Sequence, residues 1–422
     1  MGRVIFHVDV NSAFLSWEAT YRLKHLGGKI DLRKQVSAVG GDMEMRHGII
    51  LAKSIPAKKY GIKTGETILE AQRKCPHLML VPPNYGLYER CSSAFIKILK
   101  EYSPCVEQYS IDEAFIDMTE TIHLFRSPEE AAVQLKNEIR DVLGFTVNIG
   151  ISENKLLAKM ASDFRKPDRV HTLWKYEISG KMWPLPVSDL FFVGRATTKK
   201  LLKLGIRSIG DLAQADPELL KLHLKSQGKV VWGFANGIDI SEVQSAPIKQ
   251  KGYGNSTTIA FDVSDSSIAK LVLLGLAETV GTRLREANMQ AEVIAVGIKS
   301  YDLSYTSHQM RINEPTSITN EIHKYSCQLF DQLWDGRPIR HLGIHTSRLR
   351  DHVDMRQIDM FDHTDYDKLE RVDEMIDCIR KRYGIDSVKR ASFLIKDLNI
   401  DHMSGGISRE KRTVDYSKIE VK

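Results

Sequence analysis

Three carboxylates stand in two short apolar runs: Asp9 in Val4-Ile5-Phe6-His7-Val8-Asp9-Val10, and Asp112-Glu113 in Tyr109-Ser110-Ile111-Asp112-Glu113-Ala114-Phe115-Ile116-Asp117. Both runs have the composition of buried strands, and an ionised acid at the end of such a strand needs a strong partner. A pair of divalent cations would be one. Hard ions held by shared carboxylates stabilise the attacking and leaving oxygens of an in-line phosphoryl displacement, and Mg2+ is satisfied by one or two carboxylates plus substrate phosphates. The chemistry such a site would perform is nucleotidyl transfer. The plainer reading, surface acids at strand ends, suits a lone Asp and loses force when three acids fall in two such runs. About a hundred residues separate the runs, so only a fold that lays them side by side makes them one site.

The elements that would position these acids follow from periodicity and punctuation. A strand is expected over 3–10, then a helix from Ser12 toward Leu26 that Gly27-Gly28 ends. A buried strand at 48–52, a short helix at 57–61 and a helix from Thr67 to Lys74 before Pro76 come next, and Tyr88 to Tyr102 carries apolar residues at helical spacing. Cys105 to Met118 reads as two strands turning near 111–113, followed by a helix over 128–143, a strand over 146–151 and a helix over 154–162. Around Trp183-Pro184-Leu185-Pro186 the pattern changes to short helices with no strand until about Gly252, which marks a domain boundary. Strands return at 255–261, 292–300 and 340–348 around helices at 267–287 and 318–333. A charged helix over 366–382 and a polar end complete the chain, with the stretch after Met403 expected to be loosely ordered. The class implied is α+β.

At 422 residues, two to four domains are expected. Five cysteines without Cys-x-x-Cys spacing suggest neither a zinc ribbon nor a disulfide framework, and no apolar run approaches the length of a membrane span. Reduced thiols, a soluble cytoplasmic protein and no export signal are the expectations. The net charge is +6, with the cationic excess in the first 250 residues and an acidic balance beyond 350. That suits a polyanionic partner without requiring one.

The motifs also have an order: the Val8-Asp9-Val10 strand, Ser110-Ile111-Asp112-Glu113-Ala114, then Gly150-Ile151-Ser152-Glu153-Asn154-Lys155, Lys166-Pro167, and a glycine hairpin at Val193-Gly194 opening a basic helix. In this order the chain resembles the Y-family translesion DNA polymerases of the DNA polymerase IV and UmuC-like type, over about residues 3–350. The resemblance implies a right hand: palm over 1–10 and 84–175, small fingers over 11–83, a helical thumb with a helix-hairpin-helix over 176–248, an α+β little finger over 252–350, and a clamp-binding segment and tail over 351–422.

By the same resemblance, Asp9 and Asp112 bridge two Mg2+ ions, Glu113 ligates the catalytic-side ion, and the Val10 carbonyl completes the nucleotide-side shell. Asp117 is structural. Phe14 falls where the family has an aromatic steric gate that excludes a ribose 2′-hydroxyl, the alternative being a core aromatic. Ser12, Ala13, Phe14, Lys58 and Lys166 would bind the incoming deoxynucleoside triphosphate, the lysines as point charges. Two departures stand in the fingers. Ser54-Ile55-Pro56-Ala57-Lys58 replaces the frequent Ser-Tyr-Glu-Ala-Arg, and Ala52 replaces a small polar residue, which implies a weaker triphosphate grip. Primer-template DNA would meet Gly194, Arg195, Thr197, Lys199 and Lys200 in the hairpin, where open amides and lysines suit phosphates, unless this is an ordinary helical hairpin with a solvated face. Ser256, Thr257 and Thr258 would follow template phosphates, or simply form an edge strand. Gln357-Ile358-Asp359-Met360-Phe361 resembles a bacterial sliding-clamp peptide, the alternative being a segment tucked against its own protein.

The function implied is template-dependent DNA synthesis past damaged bases by a monomer, as in an SOS-type response. A catalytically silent DNA-binding relative is disfavoured by the intact acids. A two-metal cyclase on a similar palm is disfavoured by the hairpin and the little finger, which it would not need.

Overall fold

The computed structural model describes residues 2–41, 48–246, 249–352 and 364–394. Strand β1 (Ile5–Val10) is buried at every position, as an almost wholly apolar run demands when both faces of a sheet are covered. Ser12 then turns the chain in a left-handed conformation (φ 49°), and the Ser16 hydroxyl donates to the Asn11 carbonyl at 2.6 Å to open helix α1 (Ala13–His25). This helix serves two cores. Ala13 and Trp17 enter the apolar cluster of the main sheet, while Leu15 and Ala19 enter a second cluster with Val39, Ala52 and Val81.

That second cluster belongs to a small sheet of β2 (Ser37–Gly40), β3 (Ile50–Lys53) and, after helices α2 (Ile55–Lys59) and α3 (Ile68–Lys74), β4 (Met79–Val81), in the order β3-β2-β4. The Ser54 hydroxyl accepts from the Ala57 amide at 3.0 Å to start α2, and Thr67 with Glu70 forms a reciprocal capping box at α3. Strands β2 and β4 were not evident in the sequence, being only four and three residues long.

Helix α4 (Tyr85–Tyr102) returns the chain to the main sheet, which β5 (Val106–Gln108), β6 (Glu113–Asp117), β7 (Val147–Ser152) and β8 (Val170–Thr172) complete in the order β5-β6-β1-β7-β8. Helix α5 (Pro128–Glu138) continues as a π turn over 139–143. Helix α6 (Lys155–Asp163) follows β7 and lies hard against it. A Cβ built on Gly150 would come within 3.0 Å of both the Ala158 carbonyl oxygen and the Ser162 nitrogen, so only glycine fits under the helix.

Helices α7 (Ile178–Lys181), α8 (Arg195–Lys203), α9 (Ile209–Gln214), α10 (Pro217–Leu224) and α11 (Ser226–Ala235) share one core with Leu156, Leu157, Met160 and Ala161 of α6. Beyond them the chain lies back along the main sheet. Asp239 accepts from the Leu156 amide at 3.0 Å, the Gln244 amide donates to Glu107 at 2.8 Å, and Val243 is buried beside Ile5, Phe115 and Ala158.

A four-stranded antiparallel sheet follows, from β9 (Gly254–Val263), β10 (Met289–Ser300), β11 (Tyr305–Thr316) and β12 (Ile339–Asp351), in the order β11-β10-β12-β9. Helices α12 (Ser266–Glu286) and α13 (Thr319–Leu333) supply the other half of its core. Strand β11 is a strand the sequence concealed: nearly every residue in its first half is exposed, so it lacks the alternation that marks a half-buried strand. Residues 364–394 also differ from a plain polar tail. Helix α14 (Tyr366–Tyr383) docks on α12 through Arg285, which reaches Asp377 at 2.7 Å and Asp373 at 3.1 Å. Glu278 takes Arg390 at 2.7 Å and Arg380 at 3.2 Å, and Phe393 enters the core of this unit.

Candidate active site

The two acidic runs lie side by side. Strands β1 and β6 pair antiparallel in a register that sets Asp9 opposite Glu113, and the Val10 amide donates to the Asp112 carbonyl at 3.0 Å. Ser110 shapes the turn before β6: its hydroxyl donates to the Asp112 carboxylate at 2.6 Å and accepts from the Asp112 and Glu113 amides at 3.2 and 3.0 Å. All three acids therefore stand at one end of the central strands.

Burial pushes the Asp9 carboxyl up to about 6; Lys166, in ion pair with it, opposes the rise, while Glu113 and Asp112 add to it. Lys166, which burial pulls down, is nevertheless held above the usual lysine range by Asp9 and by Asp163 at 2.8 Å. On the other side Lys159, itself buried, grips both Glu113 oxygens at 2.8 Å, with its ammonium over the rings of Tyr109 and Phe191. His7 donates to or accepts from Ser162 at 2.8 Å through Nδ1, and its buried Nε2 lies 4.0 Å from Glu113. Burial, then Lys159 and Lys166, hold this imidazole well below its ordinary range, so it is neutral.

This donor set fits a hard divalent cation. It consists of oxygens alone, burial and then the neighbouring acids Glu113 and Asp112 disfavour ionisation of Asp9, and ammonium groups already stand against two of its members. Among the described residues no three acidic, His or Cys side chains form a ready cage. Substrate oxygens and water would have to complete the shell, as Mg2+ prefers.

Phe14 is half-buried in the first turn of α1, stacked on Tyr88 with ring centroids 4.6 Å apart and planes 7° apart. The side chain of Ala13 is buried and no side chain caps α1, so a ligand at Ser12, Ala13 and Phe14 would meet backbone amides. Lys58 is exposed on α2. Nearby Lys53 is depressed by burial and then by Lys58, a like-charge pairing that an anion would relieve, and Lys53 is a residue the sequence reading passed over. Ile55 is exposed and Ala52 buried. Lys159 and Ser110 were also passed over. A lysine on an otherwise apolar helix face was the available signal for Lys159.

The remaining sites are apart from these. Gly194 precedes α8 with open space around its Cβ position, Arg195, Lys199 and Lys200 are exposed, and Thr197 is half-buried. In the edge strand β9, Ser256 is exposed, but Thr257 is buried and the Thr258 hydroxyl meets His341 Nδ1 at 3.1 Å. The side chain of Thr257 thus belongs to the core and is unavailable to phosphates. Asp117 accepts from the Thr119 hydroxyl and amide, a structural role. Gln357, Met360 and Phe361 lie outside the described residues.

Residues 8–163 match the impB/mucB/samB family and residues 250–360 the C-terminal domain of that family. DNA polymerase IV of Clostridium acetobutylicum is 45% identical over 94% of this chain and 100% of its own length, and that of Acetivibrio thermocellus 37% identical over 96% and 100%. Among solved structures, a Y-family DNA polymerase chimera superposes with a TM-score of 0.69 at 21% identity, over 83% of this chain and 100% of that one.

Proposed function

Because the chain belongs to the impB/mucB/samB family, and so is a DNA-directed DNA polymerase of the translesion type, we propose that Asp9, Asp112 and Glu113 are the carboxylates of its nucleotidyl transfer. The observation that carries this reading is the β1–β6 register, which brings acids from two distant runs to one strand end. Two Mg2+ ions held by these acids and the Val10 carbonyl would supply activation of the primer 3′-hydroxyl and neutralisation of the departing pyrophosphate.

The chain's own residues do the rest. Lys166 stands where it can exchange Asp9 for a triphosphate oxygen, and Lys53 and Lys58 present positive charge on the small sheet. Lys159 keeps the Glu113 carboxylate in one orientation. Phe14 occupies the space beside the sugar and rejects a 2′-hydroxyl by contact. The palm, fingers, thumb and little-finger division follows the ranges given above. In it Gly194, Arg195, Thr197, Lys199, Lys200, Ser256 and the backbone of Thr257 and Thr258 follow DNA phosphates, and Gln357, Met360 and Phe361 engage a sliding clamp. The enzyme would act as a cytoplasmic monomer.

Primer extension with Mg2+ on undamaged and abasic templates tests the assignment. Asp9→Ala, Asp112→Ala and Glu113→Ala are expected to abolish incorporation while primer-template affinity, set by phosphate contacts elsewhere, is largely kept. More than trace extension by Asp112→Ala refutes it.

A further inference from the structure

We propose that Tyr88 is a specificity-determining positioning residue, the fixed backstop against which the Phe14 ring is held and without which that ring no longer excludes ribonucleotides. The inference rests on the reading of Phe14 as the sugar gate.

A gate that works by clash is only as good as its inability to recede. Phe14 sits in the first turn of α1 and is only partly buried, so its ring has an open side and needs a wall on the other. Tyr88, from α4, is that wall. It has no exposed surface, and its ring lies parallel to that of Phe14 at 4.6 Å and 7°. Tyr88 in turn is braced by Trp17 at 5.8 Å and Tyr85 at 5.9 Å, and Tyr85 meets the Phe14 ring edge-on at 6.1 Å. The helix bearing Tyr88 is itself fixed, since Asn84 caps it through the Leu87 amide at 3.1 Å and Phe95 and Leu99 are fully buried in the main core. Tyr88 and Trp17, both without exposed surface, are therefore immobilised by packing, and an aromatic side chain moves only where a neighbour leaves room. Truncating Tyr88 opens a cavity directly behind the gate, into which Phe14 can rotate and so clear the volume that a 2′-hydroxyl requires.

The test compares kcat/KM for dGTP and GTP on one primer-template for the parent, Phe14→Ala, Tyr88→Leu, Tyr88→Phe and the double variant Phe14→Ala/Tyr88→Leu. Phe14→Ala is expected to lower the deoxy-to-ribo ratio by about 100-fold and Tyr88→Leu by roughly 10-fold, with the change falling chiefly on GTP. Tyr88→Phe, which keeps the ring, retains the parent ratio. The double variant matches Phe14→Ala alone, because a backstop has no effect once the gate is gone.

A parent-like ratio in Phe14→Ala refutes the gate itself and the inference with it. A lowered ratio in Phe14→Ala beside a parent-like ratio in Tyr88→Leu refutes the inference alone. So do independent, multiplying effects in the double variant, or a Tyr88→Phe variant as permissive as Tyr88→Leu. If Tyr88→Leu does not accumulate as folded protein, Tyr88→Met, unbranched and better able to fill an irregular gap but not planar, carries the same expectations.

Discussion

Replacing Gly150 by alanine perturbs the site without touching any proposed ligand. The added Cβ would overlap the Ala158 carbonyl oxygen and the Ser162 nitrogen and stand 3.0 Å from the Ala161 Cβ, so no flexible side-chain end can yield in its place. Helix α6 must retreat from β7 by about 1 Å, a backbone shift of the kind that costs ~1–3 kcal/mol in a packed core. Asn148, whose side-chain amide donates to the Ser162 and Arg165 carbonyls at 3.0 and 2.9 Å, would lose part of both bonds, adding ~1 kcal/mol. A total of roughly 3 kcal/mol corresponds to a fall of about 6–12 °C in the melting temperature of a unit this size. The retreat also carries Lys159 away from Glu113 and Ser162 away from His7, and a misplacement of about 1 Å can cost ~100-fold in rate. Differential scanning calorimetry and single-nucleotide incorporation would read the two effects. Gly180→Ala is the control, since its Cβ has open space and the position is helical, so it should melt no lower than the parent. A Gly150→Ala protein that melts within about 1 °C of the parent and incorporates at the parent rate would show that α6 is not pressed onto the sheet as described.

Lys53→Ala and Lys58→Ala should each raise the deoxynucleotide KM roughly fivefold, a solvent-screened ammonium being worth ~1 kcal/mol; an unchanged KM in both removes them from the triphosphate site. Arg285→Ala removes the cation of Asp377 and the nearer of two cations of Asp373, and should undock α14, read as new proteolytic cleavage between 364 and 394, at a cost of ~3–5 kcal/mol for a broken buried pair. Protease resistance equal to the parent's would mean that Phe393 and the Glu278 pairs with Arg380 and Arg390 hold the segment without Arg285. Met360→Ala with Phe361→Ala should remove stimulation by a loaded sliding clamp and spare clamp-independent extension, since tethering acts through effective concentration. Equal stimulation of parent and variant would exclude the segment.

Local physics made much of this molecule legible in advance. The mostly apolar run around Asp9, the glycine stops and the capping residues Thr67 and Asn154 mark elements whose bounds depend on near neighbours in the chain. What stayed hidden depends on distant ones. The pairing of Asp9 with Glu113 is a register, and register is invisible in either strand alone. Lys159 looks solvated by composition and is buried only because Glu113 and two rings receive it. Strand β11 has no apolar face to advertise it, and α14 docks through arginine-carboxylate pairs that a hydropathy pattern reads as surface. Three consecutive hydroxyls at 256–258 cannot all face one way: alternation along β9 leaves Ser256 outward and turns the Thr257 side chain inward.

Helix α1, with Ala13 and Trp17 in one core and Leu15 and Ala19 in the other, behaves as a shared beam. The small sheet cannot swing on a hinge of its own without dragging the helix that bears Phe14. A polymerase built this way has little room for the induced-fit closure by which other enzymes test a substrate before committing to it. With Phe14 as the proposed gate, its pocket would instead be standing and rigid at the sugar, and a ribonucleotide would be turned away on arrival. On that reading, a distorted template base would meet no jaw closing through α1.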